Sequence, residues 1–180
     1  SIEQSNLSLT GNVGVVYLPS DNSRFTANIS SAFRAPNIDD LSKIFESNTM
    51  LAQVVFPNPD IKPEKTYNID ISIGRVITKK LRLEATGFYT MFRDALVKAP
   101  FRVNGRDSII YNGVKSQILA NLNRNKAYLF GLNFNITADF CKHFSFYTTL
   151  NYSYGRYVDF TGTKAPLDHI PPLFGKTSLT

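Results

Sequence analysis

The sequence predicts an all-β fold of antiparallel, up-and-down strands of the kind that build a transmembrane β-barrel. Three observations point there. Polar and apolar residues alternate with period two over stretches of about 11–12 residues, long against the usual 5–6 of a globular strand. Short turns near residues 19–23, 77–80 and 141–143 alternate with long polar loops near 35–64, 98–120 and 158–171. Outer-membrane barrels show this asymmetry, with short turns on the periplasmic side and long loops outside. Finally, no apolar run reaches the roughly 18–20 residues of a membrane helix, whereas a barrel strand needs only about 9–11, alternate ones apolar.

Each element follows in order. Residues 7–18 set Leu7, Leu9, Gly11, Val13, Val15 and Tyr17 against Ser8, Thr10, Asn12, Gly14, Val16 and Leu18. Pro19-Ser20-Asp21-Asn22-Ser23 is a turn by composition. The strand over 24–34 places Phe25, Ala27, Ile29, Ser31 and Phe33 opposite Arg24, Thr26, Asn28, Ser30, Ala32 and Arg34. In the loop that follows, Asn37 is a candidate cap for a short helix through Asp39, Asp40 and Leu41, with Ile38, Leu41 and Phe45 on one side. Pro57, Pro59 and Pro63 then forbid regular structure.

Tyr67, Ile69, Ile71 and Ile73 alternate with Asn68, Asp70, Ser72 and Gly74, the cleanest strand pattern in the chain. After a turn at 77–80, a strand over 81–97 sets Leu81, Leu83, Ala85, Gly87, Tyr89 and Met91 against Arg82, Glu84, Thr86, Phe88, Thr90 and Phe92. Val103-Asn104-Gly105-Arg106 carries an Asn-Gly hairpin signal within the second long loop. Residues 127–140 and 144–154 are two further strands around a turn at Cys141-Lys142-His143. A last strand follows Pro171-Pro172, for about seven main strands, all expected to be antiparallel neighbours.

Composition narrows the function classes. The chain has 180 residues, enough for one domain with a sizeable core, and a formal charge of +6. The basic residues are scattered, with Lys79-Lys80 the only adjacent pair. That argues against nucleic acid and fits a basic lumen or rim facing anionic ligands or lipopolysaccharide. The only cysteine is Cys141, so no internal disulfide forms. Both termini read as mid-protein, and the chain is expected to be a piece of a longer one.

No catalytic, metal or cofactor constellation emerges. Gly175-Lys176-Thr177 mimics the end of a P-loop, but Ile170 stands where that motif needs glycine. His143 and His169 have no partners at metal-ligand spacing, and Asp39-Asp40 with Glu46 read as a solvated helix start. No Ser/His/Asp order contains a nucleophile elbow. The Asn-x-Ser/Thr triplets at Asn28, Asn135 and Asn151 lie within strands, where residues two apart share a polar face, while Asn6 sits at a strand start.

In a membrane barrel the apolar strand faces meet lipid and the polar faces line the lumen. Tyr17, Phe25, Phe33, Tyr89, Phe144 and Tyr154 cluster near strand ends, as interfacial girdles would. The pattern leaves open a soluble β-sandwich, a secreted binding module or adhesin, whose apolar faces are buried between sheets.

Two segments carry a resemblance. Phe33-Arg34-Ala35-Pro36 closes a strand, and Pro57-Asn58-Pro59-Asp60-Ile61-Lys62-Pro63-Glu64 opens the next strand after the loop. In this order they resemble the barrel signature of TonB-dependent outer-membrane receptors, with Ile61 where Leu is commoner. Gly87-Phe88-Tyr89-Thr90, Phe92-Arg93-Asp94, Ala127–Asn133 and Leu167–Pro172 are similar to later strands of that family, although Asn133 replaces an acid.

The resemblance implies a roughly 22-stranded barrel closed by an internal plug. Residues 1–180 would be a partial barrel domain in the outer membrane, lacking the plug and the remaining strands. It implies import of a scarce nutrient: a ferric siderophore, haem, cobalamin or an oligosaccharide; the basic balance and the arginines favour an anionic iron chelate of ferric siderophore or haem type among these. TonB, acting on an N-terminal box outside this chain, would supply the energy. Lipid and lipopolysaccharide would surround the wall; no enzyme activity, cofactor or nucleic-acid partner is implied. Candidate ligand contacts are the loop-side residues Arg34, Asn37, Arg102, Arg106, Tyr111 and His169, the arginines through charge-assisted hydrogen bonds. A passive porin-like barrel would share the wall but not the plug.

Overall fold

The structure, a computed structural model, describes residues 8–37, 41, 44–48, 51–124, 126–141, 144–159 and 161–180. In chain order its strands are β1 (Gly11–Ser20), β2 (Ser23–Arg34), β3 (Phe45–Asn48), β4 (Gln53–Phe56), β5 (Glu64–Thr78), β6 (Leu81–Arg93) and β7 (Ala95–Pro100). They continue with β8 (Ser108–Tyr111), β9 (Val114–Arg124), β10 (Ala127–Cys141), β11 (Phe144–Val158), β12 (Lys164–Pro166) and β13 (Phe174–Leu179). No helix is long and apolar enough to cross a membrane, which says nothing of a crossing by strands. The expected features at Asn6, Leu7, Ile38, Asp39, Asp40, Lys142 and His143 lie outside the described residues.

The chain divides into two compact units. One comprises Thr10–Ala32, Thr66–Met91 and Ala127–Thr180. Its sheet runs in the order β1-β2-β5-β6-β10-β11-β12, with β13 also on β11. The β10–β11 register is unbroken from Ala127↔Tyr157 to Asp139↔Ser145, and β1–β2 is antiparallel with Val13 opposite Ile29. The short turns line up at one end of the sheet. The Val76 N–H donates to the Asn22 carbonyl (2.8 Å), and the Asp139 N–H to the Lys80 carbonyl (2.7 Å).

The two faces of this sheet are inverted relative to a soluble protein. On β5, Tyr67, Ile69, Ile71, Ile73 and Ile77 are exposed, from 40% for Tyr67 to 58% for Ile71, while Asn68, Asp70 and Ser72 are half-buried. Leu132 and Phe134 on β10 and Leu150 and Tyr152 on β11 continue the apolar face. The polar face is cross-linked instead. Asn28 donates to Asp70 (3.3 Å), Asn68 donates to Asp70 (2.7 Å), Thr90 donates to Asn68 (2.6 Å), and the Ser72 and Thr86 hydroxyls pair at 2.9 Å. Covering each large apolar side chain is worth about 1.5–3 kcal/mol, so such a face is stable only against a non-aqueous medium or a covering layer.

Aromatic rings mark both edges of the apolar face. Tyr17–Phe25 (6.3 Å) and Phe140–Phe144 (5.5 Å) lie at the turn end. Tyr89, Tyr128, Phe130 and Tyr154 form a connected row at the other end, with centroids 5.3–6.4 Å apart. Ten residues of β10 separate Phe130 from Phe140. At about 3.4 Å per residue and a tilt of about 40°, that is about 26 Å along the membrane normal, matching the roughly 25 Å apolar band of outer-membrane barrels.

The other unit comprises the described residues within Ser1–Leu9, Phe33–Lys65 and Phe92–Lys126. Here the structure corrects the sequence reading. The loops near 35–64 and 98–120 fold into a second sheet, β3-β4-β9-β7 with β8 on β9, and β4 pairs with β9 in parallel, Val54 opposite Ile118. The seven expected main strands are β1, β2, β5, β6, β10, β11 and β13, successive neighbours in the first sheet; the other six described strands come largely from stretches read as loops, and the parallel pair lies among them. Phe45, expected beside a short helix, belongs to β3. The expected strand 81–97 breaks at Asp94, whose φ of 53° turns the chain, so that Ala95–Pro100 join β9. These pieces escaped notice because Val54, Val55, Ile118, Leu119 and Ala120 are consecutive buried residues, and a strand buried on both faces carries no period-two signal. The Asn-Gly hairpin does form: Asn104 (φ 50°) and Gly105 (φ 78°) sit between Val103 and Arg106, which exchange backbone hydrogen bonds.

Two predictions follow from the inverted faces and tight packing. In the full-length parent receptor, Ile71→Lys should reduce folded, heat-modifiable barrel by the roughly 2–4 kcal/mol of a midplane charge in lipid, whereas Ser72→Lys should assemble normally; equal assembly of both would contradict the face assignment. At Gly131, an added Cβ would collide with the Phe88 ring and the Tyr152 carbonyl, while at Gly87 it would meet only Leu132 Cδ2 at 3.4 Å. Gly131→Ala should therefore lower the urea midpoint, by about 1–3 kcal/mol of overpacking, and Gly87→Ala should leave it nearly unchanged.

Candidate functional site

The Pro-rich segment 57–63 enters β5 without a strand ladder, because three of its residues lack an N–H. Side-chain amides take over that work. Asn58 is 8% exposed; its Oδ1 accepts from the Asp60 N–H (3.1 Å) and its Nδ2 donates to the Asn121 carbonyl (3.0 Å). Asn123 on β9 clasps the other side of the segment. Its Oδ1 accepts from the Lys62 N–H (2.7 Å), and its Nδ2 donates to the carbonyls of Lys62 (2.9 Å) and Asp94 (2.7 Å). The Glu64 Oε2 accepts from the Leu96 N–H (2.8 Å), and Ile61 is buried. The segment is thus tied to both β9 and the start of β7.

This geometry assigns Asn58 and Glu64 to architecture, along with Ile61 and the buried Pro36. Pro57 and Pro63 are half-buried, while Ala35, Pro59, Asp60, Lys62 and Phe33 are exposed. Asn123 escaped sequence reasoning; an Asn between Leu122 and Arg124 carries no local signal of a partner some sixty residues away.

Of the candidate ligand contacts, Arg34, Asn37, Arg102, Arg106 and Tyr111 fall in one unit and His169 in the other. Arg102 and Arg106 are exposed at the Asn104-Gly105 hairpin. Tyr111 is half-buried and pairs with Val114 across the Asn112-Gly113 turn. Arg34 is exposed at the end of β2, and Asn37 is exposed beyond it. His169 is exposed in a turn with φ 63°, where the loop repacks on β11: the Leu167 N–H donates to the Gly155 carbonyl (3.2 Å). Among the described residues no group of three or more His, Cys, Asp or Glu side chains could hold a metal ion. Gly175-Lys176-Thr177 lies within β13, in extended pairing with β11.

Elsewhere, Arg24, Thr26, Ser72, Glu84 and Thr86 line an open pocket of about 260 Å³ on the polar face of the sheet. Such a surface suits water or a polar filling rather than an apolar ligand.

With the wall, its girdles and its loop side chains in place, comparison with known proteins is decisive. The whole chain, residues 1–180, matches the family described as TonB dependent receptor-like, beta-barrel. The chain belongs to this family. No curated protein sequence matches it. Among solved structures, the copper transporter OprC superposes with a TM-score of 0.66 at 19% identity, over 94% of this chain and 23% of that one. The siderophore receptor PirA from Acinetobacter baumannii gives 0.64 at 20%, over 91% and 25%. The ferric enterobactin receptor PfeA from Pseudomonas aeruginosa gives 0.62 at 14%, over 94% and 32%. At these identities the likeness is one of fold, and the chain spans about a quarter to a third of those structures. The exposed apolar face is accordingly the lipid face of an outer-membrane wall, and the cross-linked polar face looks into the lumen.

Asn123→Ala removes three hydrogen bonds at once, each worth about 0.5–1.5 kcal/mol, and strands the Lys62 N–H. Hydrogen exchange should speed up by tenfold or more at Lys62 and Leu96 while the β10–β11 amides keep their protection. Unchanged exchange at Lys62 would show that the clasp is dispensable.

Proposed function

We propose that residues 1–180 are a section of the barrel domain of an outer-membrane active-transport receptor, with the plug and the remaining strands elsewhere in a longer chain. The observation that carries this reading is the sheet of inverted polarity, its apolar face about 26 Å tall between two aromatic girdles; membership of the receptor-barrel family supports it further. Cargo binds at loop side chains and enters through the barrel, driven by TonB engaging an N-terminal box of the parent protein. No covalent chemistry is involved.

An anionic iron chelate, of ferric siderophore or haem type, is the favoured cargo. The net charge of +6 and the exposed Arg102 and Arg106 support it, as do the siderophore and enterobactin receptors among the structural neighbours. The copper transporter among them keeps other metal cargo in view, and cobalamin and oligosaccharides are the remaining alternatives. Arg34, Asn37, Tyr111 and His169 complete the proposed contacts.

Uptake of a labelled ferric chelate by cells producing the parent receptor tests this reading. Uptake should vanish without TonB and fall at least tenfold in an Arg102→Ala/Arg106→Ala variant. A cysteine at Asn104 should react with a membrane-impermeant maleimide in intact cells, and Cys141 only after the outer membrane is breached. Uptake that persists without TonB would mean a passive barrel, and equal labelling of both positions would remove the wall altogether.

A further inference from the structure

Residues 102–106 stand out from the second sheet on a narrow root. The Phe101 N–H donates to the Ile118 carbonyl (3.0 Å), and the Ile118 N–H donates to the Asp107 carbonyl (2.8 Å). Between those anchors a single bridge, Val103–Arg106, closes the backbone through two hydrogen bonds of 3.0 Å. Its tip is Asn104-Gly105, both exposed and both at positive φ (50° and 78°). The chain's other Asn-Gly pair, Asn112-Gly113, is exposed with nearly the same angles (48° and 80°). That pair, however, caps the β8–β9 ladder, which runs without a break from Ser108↔Gln117 to Tyr111↔Val114. The two pairs are chemically alike and differ in how firmly the sheet holds them.

An Asn-Gly pair carries its own reaction with water. The glycine nitrogen attacks the asparagine Cγ: an N–C bond forms, the Cγ–Nδ2 bond breaks, and Nδ2 leaves as ammonia with the glycine amide proton. Water then opens the five-membered imide at either carbonyl, giving aspartate or isoaspartate with no change of oxidation state. Glycine permits this because no Cβ shields its nitrogen, and nothing lies within 4 Å of where a Cβ on Gly105 would stand. The closed turn opposes it. In the type I′ geometry that these angles describe, the asparagine side chain and the next nitrogen lie on opposite sides of the Cα–C bond. The ring therefore closes only from an opened turn, and each backbone hydrogen bond that must break slows it by about two- to twelvefold. At Asn104 the lone bridge opens without disturbing the root on Ile118. At Asn112 the turn is continuous with a ladder whose β9 strand buries Ser116 and Ile118.

We propose that Asn104 is a self-modifying site: in the folded receptor it is hydrolysed through an imide with Gly105 to aspartate and isoaspartate, while Asn112 is spared. The product has two effects. Its carboxylate stands between Arg102 and Arg106 in sequence and, with Asp107, cancels the positive excess of residues 102–107. Isoaspartate also adds one carbon to the main chain of a two-residue loop, which the Val103–Arg106 bridge does not span, so the hairpin does not close again. The modification stands on the hairpin geometry alone; its effect on cargo rests on the reading of Arg102 and Arg106 as contacts for an anionic chelate.

The test ages the full-length parent receptor, folded by the criterion of heat-modifiable gel mobility, in mildly alkaline heavy-oxygen water and digests it in ordinary water. Oxygen label then marks only what reacted during ageing. Trypsin releases residues 103–106 and 107–115 as separate peptides, one for each Asn-Gly pair. Label at position 104 should accumulate at least about tenfold faster than at position 112, and unfolding in urea should bring the two rates within about twofold. Equal rates in the folded receptor would overturn the site, as would no label at position 104 over a time that converts the unfolded chain. Asn104→Asp, which installs the charge without the extra carbon, should weaken binding of a labelled ferric chelate about threefold at low salt, a difference that high salt removes. A folded Asn104→Asp variant that binds the chelate as tightly as wild type would overturn the effect on cargo. A wild type that binds no ferric chelate at all would count against the cargo reading and leave the modification standing.

Discussion

A hydrocarbon surround offers no partner to a backbone N–H or C=O, and everything else in the membrane-facing unit follows from that constraint. Each unsatisfied group would cost several kcal/mol, so only a continuous ladder is admissible across the apolar band. The register between β10 and β11 is accordingly uninterrupted from Ala127 to Asp139, and its irregularity falls at the strand end, between Asp139 and Cys141. Once the ladder is set, period two distributes the side chains: alkyl and aromatic groups to lipid, amides and hydroxyls to the lumen. The lumenal groups then bond one another across β2, β5 and β6, which lets Asp70 sit half-buried with Asn28 and Asn68 as donors.

The second unit lives under the opposite rule. Its β4 and β9 are apolar on consecutive residues and bury Val54, Val55 and Ile118 together, an ordinary water-facing core. Where prolines remove backbone donors in the segment 57–63, Asn58 and Asn123 substitute side-chain amides for backbone ones. The family signature at 57–64 is therefore held by side-chain amides within its own unit.

Aromatic residues mark the edges of the apolar band. Rings tolerate an apolar body and a polar neighbour at once, and the row from Tyr89 to Tyr154 accepts cations at its outer rim. The same row fixes the thickness of the wall, because strand rise converts residue spacing directly into height.

By itself the sequence determined the long antiparallel strands, their two faces and the short turns after β1 and β5, because period-two alternation is a local property readable residue by residue. The family was legible too, in Phe33–Pro36 and Pro57–Glu64, whose order and spacing need no contact map. Only the tertiary structure decided that the loops near 35–64 and 98–120 hold a second sheet with a parallel pair, that Asp94 ends β6, and that Asn123 clasps Lys62. It also brought Lys164 over Tyr128. The physical reason is the same in each case: short strands buried on both faces have no alternating pattern, and partners dozens of residues apart meet only once the chain has closed its loops.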